Sequence, residues 1–233
     1  MADNRAGTKR TRQGLNAGVQ AVAAVVLVGG LAGGLWQVQV HKRERAQPAP
    51  PADCSRSQRG TLPKGYVTGA QLCEALNRPD LPALLGTPGE RAESAYGSEG
   101  WVEMAGDQKL AAPEATVQLG TYALKITASY DDLPVAEAAQ LLGNGAQVQT
   151  VLGHQAVIST VQATAVSFDL GDGKPETGPG GPARSLLVAG SAKDRGDSFE
   201  LVVWRRDGRS PDDPALFRVA EKVLPTVPGW TAG

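Results

Sequence analysis

Chemistry-bearing residues are scarce in this sequence. Of 233 residues, two are histidines, and only His154 lies beyond residue 45. Two are cysteines, Cys54 and Cys73. A structural zinc site takes four ligands, so two thiols and one imidazole support no metal centre, and no cofactor is expected. No G-x-S-x-G elbow and no local Cys-His signature is present. Gly178-Pro-Gly-Gly-Pro182 has the glycines of a phosphate loop but lacks its Lys-Ser/Thr. An excess of cations is missing too. Beyond residue 45, 16 cations face 22 anions, for a net charge of −6. Phosphate binding needs a cationic face, so nucleic acid is not an expected partner.

Charge is absent altogether from Leu15 to Val40. A bilayer core of about 30 Å needs roughly 20 apolar residues in a helix. Ala17 to Trp36 supplies that length with one polar side chain, Gln20, near its start, and Trp36 suits the far interface. A buried globular helix would show a polar stripe, and none is visible. A cleaved signal peptide would end on small residues, whereas His41-Lys-Arg-Glu-Arg45 follows here. The run therefore reads as an uncleaved transmembrane anchor with the lipid bilayer as its partner. Gly29, Gly30, Gly33 and Gly34 form overlapping G-x-x-x-G pairs, a spacing that suits a homodimer through the anchor.

Residues 1–14 are a basic tail expected to be disordered and cytoplasmic. Residues 15–40 are the anchor. Residues 41–53 are a basic flank and a Pro-rich spacer, extended and semi-rigid. Residues 54–233 form one extracytoplasmic domain. Four cations precede the anchor and three follow it, which only slightly favours a cytoplasmic N-terminus. Two cysteines in an exported domain read as a Cys54–Cys73 disulfide. The alternative is two free thiols in a cytoplasmic domain.

Within the domain, Thr68-Gly-Ala-Gln71 has capping-box spacing ahead of a short helix that ends at Asn77-Arg-Pro79. Asp80 is expected to cap a second helix, Leu81 to Leu85. Gly100 to Met104 reads as a strand. From Thr116 to Tyr130 apolar residues alternate, with Gly120 a bulge or turn, and Thr121, Lys125, Thr127 and Ser129 fall on a half-solvated face. A helix spans Pro134 to Leu142, with Gly143 as its cap. Gln155 to Leu170 reads as one or two strands, and Gly171 to Pro182, with five Gly and three Pro, as a mobile loop. Ser185 to Ala192 and Ser198 to Arg205 form a hairpin. Ser210-Pro-Asp-Asp213 opens a last helix that Pro225 stops. This order predicts an α+β fold: a transmembrane helix, then one antiparallel-sheet α/β sandwich with helices on one face.

Candidate catalytic residues compete with simpler roles. His154 reads as a turn residue at a strand start. Asp169, Asp172 and Glu176 do not match the calcium-loop spacing and read as a solvated loop. Asp131-Asp132 and Asp212-Asp213 precede helices, where carboxylates complement the dipole. Trp101, Trp204 and Trp230 read as core or rim aromatics, with a lined pocket as the alternative.

Leu72-Cys-Glu-Ala-Leu76 followed by Pro79-Asp-Leu-Pro-Ala-Leu-Leu-Gly86 resembles uncharacterised exported actinobacterial proteins, specifically a streptomycete-type single-pass membrane family without assigned activity. The element order is similar to the PsbP-like α/β sandwich of actinobacterial lipoproteins, but this chain has no lipobox cysteine. The resemblance implies a location and a fold and transfers no catalytic residues. The expected function is that of a membrane-anchored extracytoplasmic protein with a non-catalytic domain that binds an envelope protein, polymer or small ligand. The alternatives are an envelope hydrolase using His154, Asp169 and Asp172, and an envelope assembly factor acting through dimerising anchors.

Overall fold

The computed structural model describes residues 51–57, 61–103, 109–143, 145–168 and 175–231. The anchor expectation, with Gly29, Gly30, Gly33 and Gly34, lies outside the described residues. No helix among the described residues is long and apolar enough to cross a membrane.

Among the described residues ten strands and four α-helices follow one another: β1 (Cys54–Ser57), α1 (Gly69–Leu76), α2 (Leu81–Leu84), β2 (Ser94–Ser98), β3 (Trp101–Glu103), β4 (Lys109–Ala111), β5 (Glu114–Gln118), β6 (Tyr122–Tyr130), α3 (Val135–Leu141), β7 (Gln147–Val151), β8 (His154–Phe168), β9 (Pro175–Ala189), β10 (Asp197–Arg205) and α4 (Asp213–Val223), with a short 3-10 turn at Leu224–Thr226 after it. Eight strands form one sheet in the order β1-β2-β5-β6-β10-β9-β8-β7, while β3 and β4 form a separate ribbon. Every pairing in the sheet is antiparallel except β1 with β2.

Alternation along the strands assigns the two faces. Leu124, Ile126 and Ala128 of β6, Phe199, Leu201 and Val203 of β10, and Leu186 and Val188 of β9 point to one face. There they meet Leu72 and Leu76 of α1, Leu81 of α2, and Leu216, Val219 and Val223 of α4 in one buried cluster. The expectation of helices on one face holds for these three helices and fails for α3. Val135 of α3 packs with Val157 and Ala189 in a separate cluster. Those two strand residues have the opposite parity to Ala156 and Val188, so α3 lies across the other face.

Local signals fixed several element ends. Thr68 and Gln71 make the reciprocal capping box at the start of α1. Gly143, with φ +77°, follows α3. Other expected ends are corrected by partners distant in sequence. Asp80 makes no side-chain cap; Arg78 engages its carboxylate and holds it below the usual carboxylate range. The last helix starts at Asp213, not beside Ser210, and Arg184 grips Asp213 in a bidentate pair. The dipole-facing role given to Asp131-Asp132 passes to Asp194, from the β9–β10 connection, which accepts hydrogen bonds from the amides of Val135 (2.8 Å) and Ala136 (3.0 Å). Replacing Asp194 by alanine should cost about 1 kcal/mol, the usual worth of an N-cap. It should also speed amide hydrogen exchange at Val135 and Ala136 before any change at β10.

The segment read as a loop from Gly171 to Pro182 is corrected from Pro175 onward. Pro175 to Pro182 belongs to β9 and pairs with β8, past a register shift between Gln162 and Thr164. The pairing of β9 with β10 ends at Ala183, so the proline-bearing stretch has a strand on one side only. That is where sheets tolerate proline. Strand β7 carries little sequence signal, because four of its five side chains are exposed and little periodicity marks it. The turn that joins it to β8 is Leu152-Gly153, both at positive φ, as a two-residue hairpin requires.

Candidate functional site

Polar residues concentrate on the face opposite the main core. In the ladder register, Thr127, Glu200, Leu187 and Val157 stand in one row across β6, β10, β9 and β8. Lys125, Val202, Ser185 and Ser159 form the next row, and Ser129 pairs with Ser198 on the other side. Ser159, Ser185 and Ser198 are buried, although they face away from the main core.

Burial comes from what stands over them. Val102 of β3 and Leu110 of β4 rise on one side, with Leu133, Ala138 and Leu142 at or next to α3 on the other. Between ribbon and helix lies a groove of about 420 Å³ whose floor is Thr127, Ser129, Ser159, Ser185, Ser198 and Glu200. Its apolar walls and convergent polar floor are the usual make-up of a small-molecule site. Val102 and Leu142 are each 47% exposed, so the rim is apolar as well.

Electrostatically the groove has one sign. Among the described residues its lining contains two carboxylates, Asp131 and Glu200, and no Lys, Arg or His. Asp131 accepts a hydrogen bond from the Leu133 amide at 3.0 Å, an Asx turn. Glu200 accepts from Ser185 Oγ at 2.6 Å, its one hydrogen-bond partner among the described residues. Thr127 Oγ1 is buried and has no hydrogen-bond partner among the described residues. A serine beside a carboxylate, with no imidazole to shuttle its proton, lacks the parts of an activated nucleophile. The hydroxyls and carboxylates of the floor can hydrogen-bond a ligand, and the walls can pack on its apolar part.

The residues singled out from sequence are placed elsewhere. Cys54 and Cys73 are joined as a disulfide tying β1 to α1. His154 opens β8 directly after the Leu152-Gly153 turn, at the strand start expected of it, and is fully buried. Its ring stacks on Trp230 at 4.1 Å, and Nδ1 donates to the Ala189 carbonyl at 2.7 Å. It is part of the core and is turned away from the groove. Asp169 and Asp172 lie outside the described residues, and nothing is described of the Glu176 side chain. None of Trp101, Trp204 and Trp230 lines the groove. Trp230 packs under His154 and Phe199, and Trp204 joins Ala163, Ala183 and Val202. No group of three or more His, Cys, Asp or Glu among the described residues could hold a metal ion.

Elsewhere the charged groups serve the fold. At the end of β10, Arg205 packs on the Tyr122 ring and hydrogen-bonds Asp207, which lowers the Asp207 carboxyl to about 2. Its contribution to stability is therefore full above the ordinary carboxylate value of 3.8 and is lost progressively as pH falls from there to about 2. Tyr66 stacks on Tyr130 at 3.7 Å, and desolvation raises the Tyr130 phenol above its ordinary value.

The groove was missed because its side chains look like a solvated strand face. Thr127 and Ser129 alternate with buried residues, as they would toward water. The available signal was Glu200 inside the otherwise apolar run Phe199-Glu-Leu-Val-Val203.

Fold and site define a mixed α+β domain with one large antiparallel-rich sheet and an acidic, apolar-walled groove on its second face. The chain belongs to DUF6215, a family of unknown function, whose profile matches residues 12–145. That span includes Leu110, Thr127 and Ala138 of the groove, while Ser185 and Glu200 lie beyond it. No curated protein and no solved structure matches the chain.

Proposed function

We propose that this protein is a membrane-anchored, extracytoplasmic binding domain whose ligand site is the groove between the β3–β4 ribbon and α3. The observation that carries the binding role is the groove itself: a roofed, polar-floored cavity of about 420 Å³ on a sheet face that would otherwise be open to water. The uncharged run from Leu15 to Val40 supports the anchor, and the Cys54–Cys73 disulfide supports an oxidising compartment.

The site is tested with a neutral aromatic probe. In the full chain held in bilayer nanodiscs, 1-naphthylmethanol should bind above the empty-nanodisc blank, and Ser129→Trp should abolish that binding by filling the floor. Equal uptake by the Ser129→Trp protein would remove the groove as the site. For the location, a phosphatase fused after Gly233 should be active outside the membrane; activity only of a cytoplasmic reporter at that position would overturn it.

A further inference from the structure

We infer that the groove selects a ligand carrying an ammonium group on an apolar body, with the Glu200 carboxylate as its counter-ion. The inference rests on the binding role proposed for the groove and adds the charge of what it binds.

Three observations lead to it. Among the 15 lining residues, two are carboxylates, five are hydroxyl-bearing and none is cationic. An anionic ligand would meet like charge and no cation there, with only hydroxyl groups to donate to it. A neutral apolar ligand would cover the half-buried Glu200 carboxylate without giving it a counter-ion, which is costly in a partly desolvated site.

The second observation is the position of Glu200. It stands in the central row of the floor, between Thr127 on β6 and Leu187 on β9. Ser185 donates to Oε1, and no described residue pairs with Oε2. Asp131, by contrast, is exposed and its Oδ1 is held by the Leu133 amide. A donor entering the groove therefore finds Glu200 as the deep acceptor, with Ser129 and Ser198 beside it.

The third is the distribution of apolar surface. Val102, Leu110, Leu133 and Leu142 stand above the floor on both sides. A ligand with its cation on the floor would place its apolar body between these walls. A bare inorganic cation or a small free amine would leave them unfilled. The groove thus combines one half-buried charge with an apolar sleeve, the pattern for an amphipathic amine.

The test compares three probes of one shape on the full chain in nanodiscs: 1-naphthylmethylammonium, 1-naphthylmethanol and 1-naphthoate. The ammonium probe should bind about ten-fold more tightly than the alcohol, as a hydrogen bond to a charged group is worth at least that much. Naphthoate should bind weakest. Glu200→Gln keeps a hydrogen-bond acceptor for Ser185 and should abolish the preference while leaving the alcohol within about two-fold. Leu142→Arg changes a half-exposed rim residue and should turn the preference toward naphthoate. Equal binding of ammonium and alcohol, or a preference that survives Glu200→Gln, would overturn the charge selection and leave the groove as a binding site. Failure of all three probes to bind would overturn both.

Discussion

Gly97→Ala is expected to destabilise the domain by about 3 kcal/mol or more, at the upper end for overpacking. A Cβ at Gly97 would lie 2.2 Å from the Gly69 carbonyl oxygen and 2.5 Å from its carbon. The approach is reciprocal: a Cβ at Gly69 would lie 2.3 Å from the Ser98 nitrogen. Backbone meets backbone where the first turn of α1 crosses β2, so no flexible side chain can move aside. The helix cannot slide either. Its start is pinned by the Thr68–Gln71 box and by the Val67 amide, which donates to the Tyr130 hydroxyl at 2.9 Å. Strand β2 is fixed between β1 and β5. The added methyl must therefore pry α1 from the sheet and disturb Leu72 and Leu76 in the core. Gly89→Ala is the control, because nothing lies within 4 Å of its Cβ. Denaturant unfolding should separate the two variants clearly. A Gly97→Ala protein as stable as Gly89→Ala would show that helix and strand do not meet in this way.

Loss of the disulfide should cost a similar amount. Cys54 and Cys73 are 19 residues apart in sequence, and opening a loop of that length frees about 3 kcal/mol of unfolded-chain entropy. For a domain of this size that corresponds to a melting point lower by about 6–12 °C. The effect should be concentrated at β1. This strand has four residues, lies at the sheet edge and pairs with β2 alone. Its other ties are modest: Ser55 Oγ donates to the Ala95 carbonyl at 3.0 Å, and Asn77 Nδ2 to the Ala52 carbonyl at 2.7 Å. A Cys54→Ala, Cys73→Ala protein should thus melt lower and release β1 first, seen as early amide exchange at residues 54–57. Reductant should lower the melting point of the natural protein and leave the double variant unchanged. Identical melting points with and without reductant would show that the bridge does not form.

Much of the architecture is legible locally. The capping box at Thr68, the alternation from Tyr122 to Tyr130, the β9–β10 hairpin and the apolar stripe of α4 each follow from short-range spacing. They appear because backbone hydrogen bonding and side-chain period act over a few residues. The failures share a cause. Asp194 caps α3 from 59 positions away, and Arg184 takes Asp213 across 29. Asp131, Asp80 and Ser210 were nearer in sequence and satisfied the same local rules. Contact in three dimensions decided between equivalent candidates.

The groove shows the same limit. Ser, Thr and Glu at alternate strand positions declare that one face is polar, but not whether water or protein covers it. Sequence by itself determined the uncharged Leu15–Val40 run, the charge asymmetry on its two sides, the cysteine pair, the α+β class and most strand parities, because these are properties of single segments. The tertiary structure alone decided that α3 crosses to the second face and that the β3–β4 ribbon stands opposite it. It thereby placed Glu200 on the floor of a cavity, since roofing a sheet face depends on how segments far apart in the chain pack together.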